Sequence, residues 1–150
     1  MIEVNGIAHI ILTVGNWEKC RPFYEALLPF LGLTCVFSGE DMVYYVGGRT
    51  AVGVGRCGAE YAGQRFVQGS VGLHHFCFHC RSREDIDAVH AFLKEKNAKI
   101  VHAPEGGPWA PGYYSVLFED PDGTRLEVNY VPGKGVLAEG VRFNPGGDYH

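Results

Sequence analysis

Three side chains of the types that hold divalent metals, His9, His75 and Glu127, occur in similar settings far apart in the sequence. Each lies in a run of apolar, β-branched and aromatic residues typical of a strand. Side chains alternate between the two faces of a strand. The apolar residues next to each of the three therefore point to one face, and His9, Glu127 and His75 point to the other. Two imidazoles and one carboxylate suit a divalent cation and leave positions open for water or substrate. The sequence therefore predicts a three-ligand metal site.

Two further residues are candidates for moving a proton. His79 has the same parity as His75 and would hold a metal ligand in place or act as a substrate acid or base, or else line the cavity as a polar residue. Tyr114 lies at the start of a predicted strand and is the second candidate. We therefore assign both residues a predicted catalytic role.

Thr13, Asn129 and Trp109 are the candidate substrate contacts. Thr13 shares the strand face of His9, and Asn129 shares that of Glu127. Trp109 lies in a run rich in proline and glycine, residues 104–112, which is typical of a loop. This loop would cover the mouth of the cavity and bring Trp109 to an apolar ligand. The alternative is a surface loop with one packed tryptophan.

The elements that must position these residues form two similar halves. Each half begins with an apolar run that carries an early histidine, residues 6–14 and 72–80. A pattern of helical spacing follows, and then three runs typical of strands. These runs are residues 34–38, 42–46 and 50–56 in the first half, and residues 99–103, 113–119 and 124–130 in the second.

The pattern predicts an α+β fold of two tandem βαβββ modules, which form a cupped, barrel-like mixed sheet with the helices outside. The first module covers residues 1–56, a linker 57–71, and the second module 72–131. The remaining residues, 132–150, form a tail with no clear periodicity, either an arm over a neighbouring molecule or a frayed end.

Composition excludes several classes of protein. Apolar residues make up 46% of the chain, which excludes a disordered polypeptide. The net charge of −4 gives no electrostatic basis for binding nucleic acid. No apolar run approaches the roughly 20 residues that span a bilayer, and the first residues lack the layout of a signal peptide. We expect a cytoplasmic protein that binds a small molecule and no membrane, with its five cysteines as reduced thiols.

The layout resembles the vicinal-oxygen-chelate superfamily, which contains glyoxalases, bleomycin-resistance proteins and dioxygenases. The resemblance rests on His9 in IAHIILTV, on the helix RPFYEALLPFLGL, on His75 in GLHHFCFHC, and on Glu127 in FEDPDGTRLEVNY. It implies that the two modules enclose one divalent metal ion, Zn, Ni, Mn or Fe, which chelates substrate oxygens. It also implies a homodimer, with the site in one chain or shared between two.

One ligand position of the family differs in this sequence. The family's fourth place falls on the last strand of the first half, and alignment of Gly48 with Gly123 puts Val52 opposite Glu127. Valine cannot bind a metal, so the site departs from glyoxalase I and methylmalonyl-CoA epimerase. The remaining set resembles fosfomycin-resistance enzymes and extradiol dioxygenases, although Leu117 stands where the dioxygenases have tyrosine.

The resemblance leaves the reaction open. A metal-dependent enzyme of this kind would be a lyase or isomerase, a transferase or an oxygenase. The alternative is a metal-free, bleomycin-resistance-like protein that binds a small molecule without chemistry.

Overall fold

Each half of the chain folds as a strand, a helix and three further strands, which confirms the predicted α+β class of two tandem βαβββ modules. The computed structural model describes residues 1–145. The chain divides into two units, Met1–Phe66 and Val67–His150. Each unit contains one module with a four-stranded mixed sheet of its own.

The first module has the strand order β1-β4-β3-β2. β1 and β4 are parallel, and the other neighbouring pairs are antiparallel. Strands β2 and β3 have the predicted bounds. The elements are β1 His9–Val14, α1 Trp17–Phe30, β2 Thr34–Ser38, β3 Met42–Val46 and β4 Ala51–Arg56.

The second module repeats this order as β5-β8-β7-β6, again with its first and last strands parallel. Strand β6 continues into the segment predicted as a loop, and β5 begins one residue after His75. A short helical turn, Gly135–Leu137, follows the last strand. The elements are β5 Phe76–His79, α2 Arg83–Glu95, β6 Lys99–Gly106, β7 Tyr114–Glu119 and β8 Arg125–Tyr130.

Both helices bury one apolar stripe against the sheet of their own module. At the start of α2, the Ser82 hydroxyl accepts from the backbone of Asp85, and the Asp85 carboxylate accepts from the backbone of Ser82. This capping box satisfies two helix-terminal N–H groups and fixes the point at which β5 gives way to α2. Among residues 1–145, no helix is long and apolar enough to cross a membrane.

Burial follows the predicted strand parity on β1. Leu12 and Val14 are buried, whereas His9, Ile11 and Thr13 are exposed. The helix-facing side of this strand is therefore the apolar one, and His9 lies on the opposite face as predicted.

Candidate functional site

Glu127 lies in the middle of β8 and is fully buried, with 0% of its surface exposed. Its strand neighbours are Cys77 on β5 and Leu117 on β7. Leu126 and Val128, on either side of it, are also buried but have the opposite parity. The carboxylate therefore projects from the face of the sheet opposite to that of these apolar neighbours.

The two oxygens of Glu127 have different surroundings. Oε1 accepts a hydrogen bond from the hydroxyl of Tyr113. Oε2 has no hydrogen-bond partner among residues 1–145, and Nε2 of His75 lies 3.3 Å from it. Burial opposes ionisation of the carboxylate, but contacts with His75, Tyr113 and Ser115 outweigh it, so its pKa lies below the usual value. The group is thus a buried anion with one oxygen still to be satisfied.

The ring nitrogen of His75 that faces Oε2 of Glu127 is Nε2. Nδ1 of His74 lies 2.7 Å from Nδ1 of His75 and 3.3 Å from the amide nitrogen of Gln68. An amide nitrogen can only donate, so Nδ1 of His74 is the acceptor and His75 donates its Nδ1–H. A protonated His75 donates from Nε2 to Glu127, which is the contact that lowers the pKa of the carboxylate. The neutral form with its proton on Nδ1 has a lone pair on Nε2 and is the form that binds a metal through this nitrogen.

His79 at the end of β5 is fixed in a similar way. Its Nδ1 lies 2.9 Å from Oδ1 of Asn129 on the neighbouring strand. An amide oxygen accepts, so Nδ1 carries the proton and Nε2 is left as the nitrogen that can take one up. The predicted substrate contact Asn129 is therefore the residue that orients the predicted acid or base.

The two adjacent tyrosines have separate roles, and the predicted one is not beside Glu127. The hydroxyl of Tyr114 donates to Asp87 on α2 at 2.7 Å, and the guanidinium of Arg83 lies 3.8 Å from the centre of its ring. Tyr113 instead points to Glu127, because adjacent residues face opposite sides of a strand. The signal in the sequence for Tyr113 was its strand parity. It lies four residues before Leu117, which pairs with Glu127, so its side chain has the same facing as that of Leu117.

Trp109 lies beside Tyr113 and borders a cavity of about 400 Å³ in the second unit. Its ring meets the ring of Tyr113 edge to face, with 4.9 Å between the centroids. A Cβ at Gly107 would overlap the indole, so glycine there lets the loop pass under the ring. His79 and Tyr113 also line the cavity. The cavity therefore adjoins both the histidine that can accept a proton and the partner of Glu127.

The remaining predicted site residues, His9 and Thr13, lie on β1 in the first unit, and both are exposed. Within residues 1–145, no group of three or more His, Cys, Asp or Glu side chains is arranged to hold a metal. The structure thus brings together two of the three predicted ligands, His75 and Glu127. The role of His9 stays a prediction.

The predicted counterpart of Glu127 in the first module is wrong by one residue. In the parallel pairs, Cys77 lies opposite Glu127 and Ile11 lies opposite Gly53, so Gly53 rather than Val52 is the equivalent position. The β7–β8 connection, residues 120–124, is one residue longer than the β3–β4 connection, residues 47–50. A Cβ at Gly53 would lie 3.0 Å from the ring of Tyr44, so that ring covers the position.

Comparison with known proteins gives one family. The model of the glyoxalase/bleomycin resistance protein/dioxygenase superfamily matches residues 6–128. The uncharacterized protein YqjT of Bacillus subtilis (strain 168) is 25% identical over 122 residues, which are 80% of this chain and 94% of that protein.

Two solved structures illustrate the likeness in fold. A provisionally assigned glyoxalase from Bacillus halodurans is 28% identical, with a TM-score of 0.74 over 85% of this chain and 97% of that one. A lactoylglutathione lyase from Agrobacterium tumefaciens is 22% identical, with a TM-score of 0.63 over 85% of this chain and 95% of that one. At the lower identity, the likeness concerns the fold alone.

Proposed function

Since this chain belongs to the glyoxalase/bleomycin resistance protein/dioxygenase superfamily, we propose that it is a divalent-metal-dependent enzyme acting on a small oxygenated organic substrate. The observation that carries the proposal is the buried Oε2 of Glu127, which lacks a hydrogen bond and faces Nε2 of His75 at 3.3 Å. An imidazole nitrogen and a carboxylate oxygen are both metal-binding atoms, and a cation between them would satisfy the buried oxygen.

The spacing of the two donor atoms suits a shared metal. Ligand bonds of about 2.0–2.2 Å put neighbouring donor atoms roughly 3 Å apart. Imidazole and carboxylate donors are compatible with Zn, Ni, Mn or Fe. The second nitrogen of His75 and the second oxygen of Glu127 both have protein partners, an arrangement that commonly supports metal ligands.

His9 is the proposed third ligand. Its position at the start of β1 corresponds to that of His75 immediately before β5. We propose that the protein is a cytoplasmic homodimer. His9 then comes from the same chain as the other two ligands or from the second copy.

A metal bound by these residues would supply Lewis acidity to one or two substrate oxygens. His79 accepts or returns a proton through Nε2, while Asn129 holds its ring in one tautomer. Tyr113 holds Glu127 in place through its hydroxyl and offers its ring to the cavity. Trp109 packs edge to face against that ring and lines the cavity beside it. The four-ligand set of glyoxalase I is not proposed, because Gly53 has no side chain with which to complete it.

Metal content tests the proposal directly. The purified protein is loaded with a divalent metal, passed through a desalting column and measured by elemental analysis. We expect about one metal per site in the wild-type protein and none in Glu127→Gln, which keeps the volume but removes the charge. Glu84→Gln, an exposed change in the first turn of α2, is the control and keeps the metal. Protein that retains no Zn, Ni, Mn or Fe after loading rules the proposal out.

A metal-free binding protein is the second candidate function. The observation in its favour is the cavity beside Trp109, whose lining is mostly apolar. Such a protein would retain no metal in the loading experiment and would still bind an organic ligand in this cavity.

A further inference from the structure

The cavity beside Trp109 has two walls of different origin. One wall comes from the sheet and the preceding loop through His79, Trp109, Ala110 and Tyr113. The other comes from residues 131–143, which follow the last strand. All of them except Val131 belong to the segment 132–150 that was predicted as an arm or a frayed end. The apolar side chains of this second wall are Val131, Val136, Leu137 and Phe143.

The C-terminal wall, residues 131–143, is built from consecutive hydrogen-bonded turns. The backbone N–H of Leu137 donates to Lys134 at 3.0 Å, and that of Val141 donates to Ala138 at 3.2 Å. The wall is anchored at its base, where a Cβ at Gly112 would collide with the ring of Pro132. Glycine at position 112 has a φ of +73°, which other residues adopt only with strain. The last residues of the predicted tail, 146–150, lie outside the described part of the chain.

Apolar side chains of this wall are left open to solvent around the cavity. Leu137 is 85% exposed and Phe143 is 62% exposed, although both line it. Exposed apolar side chains that converge on one concavity are typical of a ligand site. A ligand with an apolar body would cover them and take its place against the ring of Trp109.

The charge of the lining selects among such ligands. Lys134 contributes a cationic ammonium group to the lining, and His79 contributes an imidazole. None of the lining residues, all of which lie within residues 1–145, has a carboxylate. The cavity therefore favours a negative group on the ligand over a positive one.

We propose that this cavity binds an organic anion with a flat apolar body of one or two rings and one carboxylate. A volume of about 400 Å³ is within the range of small-molecule sites. The inference deepens the proposed function and rests on it in one respect, namely that the bound anion is the substrate. Binding itself needs only the cavity, so it can be measured without metal.

The test uses 2-naphthoate as the probe and metal-stripped full-length protein in isothermal titration calorimetry. Two probes of the same ring system, neutral 2-naphthol and cationic 2-naphthylmethylammonium, report the effect of charge. We expect 2-naphthoate to bind at least fivefold more tightly than 2-naphthol, and the cation to bind most weakly. Equal affinity for all three probes, or no binding of 2-naphthoate, overturns the inference.

Two variants with matched controls locate the site. Lys134→Met is expected to bring 2-naphthoate to the affinity of 2-naphthol, whereas Lys96→Met at the end of α2 leaves the difference intact. Phe143→Ala is expected to weaken both probes about tenfold, whereas Phe37→Ala, an exposed change on β2, has no effect. Both cavity residues are exposed, so loss of folding is not expected to confuse the result. Unchanged binding in Lys134→Met and Phe143→Ala places the probe elsewhere and overturns the inference.

The two proposals fail separately. Metal retention without binding of 2-naphthoate leaves the metal-dependent function standing and removes this ligand class. Binding of 2-naphthoate by protein that never retains metal keeps the cavity assignment and removes the metal-dependent function.

Discussion

Glu127 combines a negative charge with complete burial, and a folded protein sustains that combination only when other groups compensate the lost hydration. Tyr113 compensates at Oε1 by donating its hydroxyl hydrogen. At Oε2, Nε2 of His75 lies 3.3 Å away, and in the neutral imidazole with its proton on Nδ1 this nitrogen is itself an acceptor. A bound cation would satisfy both atoms at once, which is why this oxygen carries the argument for a metal.

Tyr113→Phe tests whether the hydroxyl positions Glu127 as a ligand. The variant keeps the ring against Trp109 and removes only the donor to Oε1. Loss of a hydrogen bond that orients a metal ligand typically lowers metal affinity about 10- to 100-fold. We expect a reduction of this size in competition with a chromogenic chelator.

The adjacent tyrosine provides the matched control. The hydroxyl of Tyr114 bonds to Asp87 on the helix side of the sheet, so Tyr114→Phe is expected to leave metal affinity unchanged. Equal affinities in Tyr113→Phe and the wild-type protein would show that the hydroxyl has no part in holding the ligand.

At the scale of the elements, β3 lies between β2 and β4 in its sheet, and Tyr45 on this strand is buried. Tyr45 lies opposite Cys35 on β2 and is 5% exposed. Burial, followed by the neighbouring Cys35 and then Glu25 on α1, raises the pKa of Tyr45 to about 12. The folded module therefore holds this phenolic proton more tightly than the unfolded chain does.

This difference predicts an alkaline loss of stability that depends on Tyr45. A pKa raised on folding stabilises the protein fully below about pH 10, and the contribution is lost as the pH rises toward 12. By pH 11 the wild-type protein should lose about 1 kcal/mol of unfolding free energy that Tyr45→Phe does not lose. Urea unfolding at pH 9, 10 and 11 measures the difference. Tyr61→Phe, at an exposed position, should follow the wild-type protein, and a parallel decline in Tyr45→Phe would contradict the assignment.

The same elements show what the sequence can and cannot determine. Strands β2 and β3 were predicted with their observed bounds because turn residues interrupt the apolar runs on both sides. Strand parity also predicted that His75 and Glu127 share a face. The counterpart of Glu127 was misplaced, because two residues separate Gly48 from the start of β4 whereas one residue separates Gly123 from the start of β8.

The shape of the cavity was beyond prediction for a different reason. Its second wall, residues 131–143, has neither helical nor strand periodicity, and it owes its shape to successive turns and to the close approach of Pro132 and Gly112. Such contacts depend on tertiary packing that a hydrophobic pattern does not encode. Tyr113 was missed as a partner of Glu127, although it was the first residue of the predicted strand 113–119, because strand parity gives the face of a side chain and not its hydrogen-bond partner.

Across the whole molecule, the two modules share a topology but not a chemistry. Both pair their first and last strands in parallel, so each has an equivalent position for a ligand on its last strand. The second module has Glu127 there, with Tyr113 in support. The first module has Gly53, covered by Tyr44. The proposed site therefore takes its carboxylate from the second module, and it requires His9 as the proposed third ligand.

Metal-dependent stability tests that requirement, because a ligand bound only by the folded state stabilises it by mass action. At a metal concentration of 100 times Kd, the gain in unfolding free energy is about 2.7 kcal/mol. We expect this gain in the wild-type protein and in His90→Ala, a control on α2, as a rise in Tm during thermal unfolding. Both His9→Ala and Glu127→Ala should abolish the rise, although the two residues lie in different units. A full rise in Tm in His9→Ala would mean that the second module binds the metal without the first.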